Sequence, residues 1–467
     1  MDIMLKDEYQ KGWFGNVKAS GGAALNGNNG FESIGNKALF NGNAMVSHYS
    51  PTDQIVLLSS AKNATEPGIW SADDGFSFMM PGSENDMLAS KQGLQTTGQA
   101  GINYNTTRIK GLESTLSTSY NYLKKDVSEK SSRTSYLGNQ QTMFTDGIFN
   151  GIGSDHTASL SAEMKNSDKS KYLFTFRPYF MFTSQNRKAG SSYKTKTGDI
   201  LDNSSTSSST AHNNNVSSFI ELETGIKDIG KTGRGLTLTG EFFMDGNNGT
   251  SSEKSHTIYK DSEDILDLLY KSKGNSLGSQ LELTYVEPFG PNWSIQARSS
   301  GSYTGSRTTK DALNGSDGSA NDYYSSFSRN DDMTIRERLL AQYKKDDTSV
   351  SLGASIYEEN NVTHSRTIGI ENLVGENEWI FNWSPYAEFD WSKGYDTFWA
   401  SYQGYTSTPS GASIIPALNI SNPSFVSTGN IYLRPFFEQM AMLNFTGMKP
   451  ETMLTYQLSI VGAVMSN

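Results

Sequence analysis

EWIFNWSPYAEFDWSKGYDTFWASYQGY, residues 378–405, decides the fold. From Trp379 to Trp391 alternate positions carry Trp379, Phe381, Trp383, Pro385, Ala387, Phe389 and Trp391, with Asn382, Ser384, Tyr386, Glu388 and Asp390 between them. Side chains of an extended chain alternate between two faces, so this period of two predicts a β-strand with one oily and one wet face. Ser392-Lys393-Gly394-Tyr395-Asp396 then turns the chain into a second aromatic-rich strand, Thr397 to Tyr405. Soluble strands usually run to about five or six residues, and this one is far longer. A strand tilted across a bilayer needs about 9–11 residues, and Trp and Tyr at its ends match the girdles of membrane barrels.

The same pattern recurs along the chain. Tyr172, Phe174, Phe176, Pro178, Phe180 and Phe182 make one oily face; Leu236, Leu238, Phe242 and Met244 make another, opposite Thr237, Thr239 and Glu241. Leu281, Leu283 and Tyr285, then Val350, Leu352, Ala354 and Ile356, then Leu454, Tyr456, Leu458 and Ile460 repeat it. About seventeen strands are expected in all, by the same period-two reading. Short turns of about four to eight residues alternate with polar loops of roughly 15 to 35, the asymmetry of outer-membrane barrels. A sandwich or propeller has no such strict alternation. The expected long loops are 64–95, 126–155, 191–215, 246–275, 305–331 and 408–430. Within one of them, Ile265, Leu266, Leu268 and Leu269 recur at helical spacing behind Ser262 and Glu263, which predicts a short helix over 261–271.

Composition narrows the choice of function. There is no Cys, so neither disulfides nor thiolate metal sites can form. Hydrophobic residues are 35% of the chain, and Gly, Ser, Thr, Asn and aromatics are abundant. Mean hydropathy is negative and no apolar run approaches 18 residues, which excludes transmembrane helices but not a barrel with a wet interior. A net charge of −10 without a basic patch disfavours nucleic acid as a partner. His48, His156, His212, His256 and His364 lack metal-ligand spacing, and no nucleophile-elbow, P-loop or zincin motif occurs. No catalytic, cofactor-binding or metal-binding residues are expected. The acidic, Gly-rich stretch from Asp311 to Asp322 misses the EF-hand spacing and its closing Glu, and is read as a solvated turn.

Several stretches resemble the β-barrel of TonB-dependent outer-membrane receptors of the Bacteroidetes type. They are LKDEYQKGWFGNVKASGG near the start, MVSHYSPTDQIVLLSSAKN, GQAGINYNTTRIKGLESTLSTSYNY, and YQGYTSTPSGASIIPALNISNPSFVSTGNIYLRP at 402–435. The last carries Pro409-Ser410, Pro416, Asn422-Pro423, Gly429-Asn430 and Leu433-Arg434-Pro435 in the family's order. The resemblance covers nearly all of residues 1–467. It implies an integral outer-membrane β-barrel with outer-membrane lipid around it. It also implies import of a bulky nutrient (metal chelate, glycan or peptide) energised by the TonB complex, with a surface lipoprotein as a further partner. Family members also carry a signal peptide, a TonB box, a plug and a 22-stranded barrel. The chain is therefore expected to be part of such a receptor, with the plug and the last strands outside it. The alternatives are a plugless porin-like channel and an outer-membrane surface scaffold or adhesin. Charges on the wet phase of the strands, Glu221, Glu223, Glu241, Glu282, Arg298, Arg336, Arg338, Glu388 and Asp390, are expected to face the lumen, because a mid-membrane Arg or Lys facing lipid costs about 2–4 kcal/mol.

Overall fold

A computed structural model describes residues 11–23, 38–63, 93–136, 142–166, 170–367, 370–374, 379–407, 419–422, 425–427, 430, 432–434 and 436–466. The described residues form strands and connections, and no helix among them is long and apolar enough to cross a membrane. In chain order the strands are β1 (Gly12–Ala23), β2 (Ala38–Tyr49), β3 (Asp53–Lys62), β4 (Leu94–Thr106), β5 (Leu112–Tyr136), β6 (Thr142–Asn166) and β7 (Tyr172–Thr197). There follow β8 (Ile200–Lys227), β9 (Gly235–Tyr259), β10 (Glu263–Pro288), β11 (Trp293–Asn314), β12 (Ser326–Lys345) and β13 (Thr348–Thr367). The last are β14 (Ile370–Val374), β15 (Ile380–Lys393), β16 (Asp396–Ser407), β17 (Asn419–Asn422), β18 (Phe425–Ser427), β19 (Phe436–Lys449) and β20 (Leu454–Ser466).

Apart from the β17–β18 pair, all of these belong to one antiparallel sheet. Each strand pairs with its neighbours in sequence, an up-and-down order with no crossover. β14 and β15 share one position, β14 pairing with the far end of β13 and β15 with its near end. The 18 strands of the sheet therefore make 17 staves, as the alternation of the sequence predicts. β1 and β20 are the margins and are not paired with each other among the described residues. The quoted hairpin is β15–β16, turning at Gly394, whose φ of 65° suits a residue without a Cβ.

Two expectations are corrected. Residues 261–271 are not helical: from Glu263 onward they open β10, a 26-residue strand paired to β9. Leu266, Leu268 and Tyr270 point to one side and gather with Ala312 and Tyr324 into a small core, while Ile265 and Leu269 are exposed. Apolar residues on both faces of one strand mimic helical spacing. The segments 126–155, 191–215, 246–275 and 305–331 are not long loops either. Their described residues are mostly the upper halves of paired strands, with a connection at 315–325 between β11 and β12, and with β7 and β8 meeting at a tip where Gly198 has a φ of 61°. Their Ser, Thr and Asn side chains bond across strands: Ser191 to Ser207 at 2.7 Å, Thr210 to Ser252 at 2.7 Å, Ser205 to Thr257 at 2.8 Å. Such cross-strand pairs stabilise a ladder without an apolar core. The expected loop 64–95 lies almost wholly outside the described residues, as do Pro409, Pro416 and Pro423; within 408–430 the described part is chiefly the small β17–β18 pair.

The short-turn end of the sheet is held by charge. At Pro51-Thr52-Asp53 the Asp53 carboxylate accepts from Thr52 (2.7 Å), Tyr104 (2.8 Å), Thr106 (2.9 Å) and the Arg108 guanidinium (2.8 Å). Those partners tie the β2–β3 turn to the β4–β5 turn, and they hold the carboxyl well below its usual range. Between the β8–β9 turn and the end of β10, Arg234 grips Glu287 through two bonds of 2.7 and 2.8 Å, with the Tyr285 hydroxyl donating at 2.5 Å. Those donors bring the Glu287 carboxyl down from 4.5 to about 2. A depressed carboxyl stabilises the fold above its unfolded value and loses that contribution as pH falls towards its folded one. The wild type's resistance to urea should therefore fall between about pH 4.5 and 2 relative to that of Glu287→Gln. Parallel pH profiles for the two proteins would show that the clamp contributes nothing.

Candidate functional site

The two faces of the sheet differ in chemistry. On one, which we call outward, the exposed side chains nearest the short turns are apolar: Phe180 and Phe182, Ile220 and Leu222, Leu236 and Leu238, Leu281 and Leu283, Ile335 and Leu339, Leu352 and Ile356, Phe381 and Trp383. On β11 this run extends from Trp293 to Tyr303 and on β10 from Leu277 to Tyr285. These lengths match the 9–11 residues or so that cross a bilayer. Tyr285, Trp293, Tyr343 and Trp391 mark its short-turn rim, with Trp293 and Tyr343 rings 4.9 Å apart. Beyond the belt the outward face is mixed, with Lys188, His212, Lys273 and Arg307 alongside the exposed Phe144, Ile148, Ile152, Ile265 and Leu269. Glu337 breaks the belt; it is exposed on the outward face, where the Ser299 hydroxyl donates to it at 2.6 Å.

The opposite, inward face carries all nine charges expected on the wet phase. Glu221 lies opposite Glu241, Glu223 opposite Thr239, Thr239 opposite Glu282, and Arg298 opposite Arg338. The register does not bring them into one cluster; it makes two unlike patches. Across β6–β8, Arg177 sits between Glu163 (3.3 Å) and Glu221 (2.7 Å), with Lys165 3.8 Å from Glu163. Across β10–β15, Arg298 reaches Glu282 at 3.3 Å, the Arg336 guanidinium lies 4.8 Å from the Tyr357 ring centre, and Arg338 lies 5.2 Å from that of Tyr386. Glu388 is taken up by the Tyr386 hydroxyl and by Trp399 Nε1 at 2.9 Å, and Asp390 accepts from Ser349 at 3.1 Å.

Arg177, Glu163, Tyr357 and Trp399 complete these patches and were not picked out by sequence, whereas Asn382 was placed on the wet phase. Arg177 shares the phase of Thr175 and Tyr179 within the Tyr172–Phe182 run, a signal that was there to be read. The others depend on register. The histidines are scattered: His156 meets the Tyr120 hydroxyl at 2.7 Å, His212 meets Asn186 at 2.7 Å, and His256 meets Glu263 at 3.1 Å. Among the described residues no three His, Asp or Glu side chains form a group that could hold a metal. Asp317 spends its carboxylate on the Ser319 amide and hydroxyl, at 3.0 and 2.7 Å.

No family model matches the chain, and no curated protein does. Among solved structures it is similar to the outer membrane transporter YddB from Escherichia coli. The identity is 7% and the TM-score 0.23, over 92% of this chain and 75% of that one. A score that low does not establish a shared fold. The all-β, up-and-down architecture rests on the strand pairing itself.

Proposed function

We propose that this chain is an integral outer-membrane β-barrel with a transport role. The finer reading is the barrel part of a TonB-dependent receptor that takes up a bulky nutrient (metal chelate, glycan or peptide). The observation that carries the barrel reading is the outward apolar belt, about as tall as a bilayer core and running from strand to strand across the short-turn half of the sheet. Water would leave that belt as a continuous exposed apolar surface, far larger than soluble proteins tolerate. The inward charges support a wet interior, and the tall hairpins would form the outer vestibule. The TonB-dependent part is supported by the sequence resemblance. It requires that β1 and β20 close against each other or against further staves, since an open edge is not viable in hydrocarbon.

Expressed with an export signal in a Gram-negative host, the protein should sediment with the outer membrane and resist extraction without strong detergent. Recovery in the aqueous fraction would overturn the membrane reading. Energised import is tested separately: uptake should stop when the proton-motive force is collapsed. Uptake that continues would mark a passive channel, the reading without a plug.

A further inference from the structure

We propose that Arg336, Arg338 and Asn382 form a binding site for an oxyanion, a carboxylate or phosphate group borne by a solute, on the inward face of β12, β13 and β15. The proposal rests on that face being the water-lined side of the barrel. Arg298 and Arg338 are direct partners in the β11–β12 ladder, but Arg298 leans back to Glu282 on β10 at 3.3 Å while Arg338 leans across β13 to Tyr386, without a carboxylate partner among the described residues. Arg336 is two residues away on the same face, opposite Ser300 and Tyr357.

Three features mark the cluster as organised for an anion. First, among the described residues Arg336 and Arg338 form no ion pair; each is stacked on a tyrosine instead. Stacking fixes the plane of a guanidinium and leaves its N–H edge free for a bidentate acceptor. Tyr357 is itself anchored, its hydroxyl donating to the Thr406 carbonyl at 3.1 Å. Second, Asn382 is only 3% exposed, lies opposite Tyr357 in the ladder, and has an Nδ2 without an acceptor. Buried donors are nearly always satisfied, so this unpaired one, next to the ring that carries Arg336, indicates a missing acceptor. Third, the acids nearby are engaged or displaced. Glu388 is bonded to Tyr386 and Trp399, Glu282 is paired with Arg298, and Glu359 and Asp332 lie one and two same-face positions beyond Arg336 towards the tall end. Among the described residues Arg336 and Arg338 are thus left as donors without a carboxylate in contact. Arg177 provides the contrast, being neutralised by two glutamates.

The test is calorimetric titration of the detergent-solubilised full chain with sodium tripolyphosphate and, separately, with citrate. Wild type should bind at least one of them saturably. Arg336→Gln/Arg338→Gln should lose at least about tenfold in affinity, whereas Arg177→Gln should bind as wild type does. Preference for tripolyphosphate or for citrate tells a phosphate-bearing from a carboxylate-bearing solute. The proposal is overturned if wild type binds neither, or if the double variant, shown folded by its circular dichroism, binds equally well. This readout needs no open pore. Absence of membrane insertion would sink the barrel reading, while lost binding in an inserted protein would sink only the oxyanion site.

Discussion

Replacing Leu281 by arginine should lower the stability of the protein folded in lipid vesicles by about 2–4 kcal/mol. Leu281 is outward, 58% exposed, and central in the belt of β10 between Leu277 and Tyr285. Its ladder partners on both sides are glycines, Gly240 and Gly301, so the side chain covers bare backbone and has no large neighbour to shelter a charge. At such an exposed site in a water-soluble sheet the same change would fall within about 0.5 kcal/mol. Gln280→Arg is the control. It points inward, beside Glu241 in the ladder, and should be tolerated. Denaturant titration of both variants in vesicles, read by gel mobility without heating, decides the matter. Equal stability would mean that the outward face does not lie in hydrocarbon.

Gly353→Val should cost about 1–3 kcal/mol, the range for forcing extra volume into a packed site. Gly353 is inward on β13, opposite Leu340 on one side and Tyr386 on the other. A Cβ there would collide with the Leu339 carbonyl oxygen and press on the Leu340 side chain. The first of these is backbone, so the β12–β13 pair would have to part rather than merely repack. Leu340→Ala in the same chain should for that reason restore little. Gly301→Val, where nothing lies within 4 Å, should be silent to about 0.5 kcal/mol. If Gly353→Val proves as stable as Gly301→Val, the two strands are less tightly paired than the structure has them.

The membrane half of each stave was legible because one physical constraint writes it. Facing pairs such as Phe180 and Leu160, or Leu283 and Leu238, obey the period of two that water on one side and hydrocarbon on the other impose. Above the belt both sides meet water, the period fades, and a run such as Ser204 to Asn215 reads as low complexity although it is fully paired. The stretch Ile265-Leu266-Asp267-Leu268-Leu269 misled for the opposite reason. Its apolar residues serve both faces, one of them the small core with Ala312. The inward charges were found by phase, but which of them meet was not. That Arg298 faces Arg338, while Arg177 faces Glu221, is set by the turn lengths between strands rather than by any local motif.

The heights of the staves have a consequence for shape. β8 has 28 residues, roughly 90 Å along the strand, and β3 has 10, roughly 33 Å. Among the described residues every stave from β5 to β13 has 20 residues or more. Since about 9–11 residues suffice to cross hydrocarbon, roughly half of each such stave stands clear of the membrane as hydrogen-bonded wall. A solute would first meet a palisade of paired strands, where a barrel of bilayer height would offer only loops.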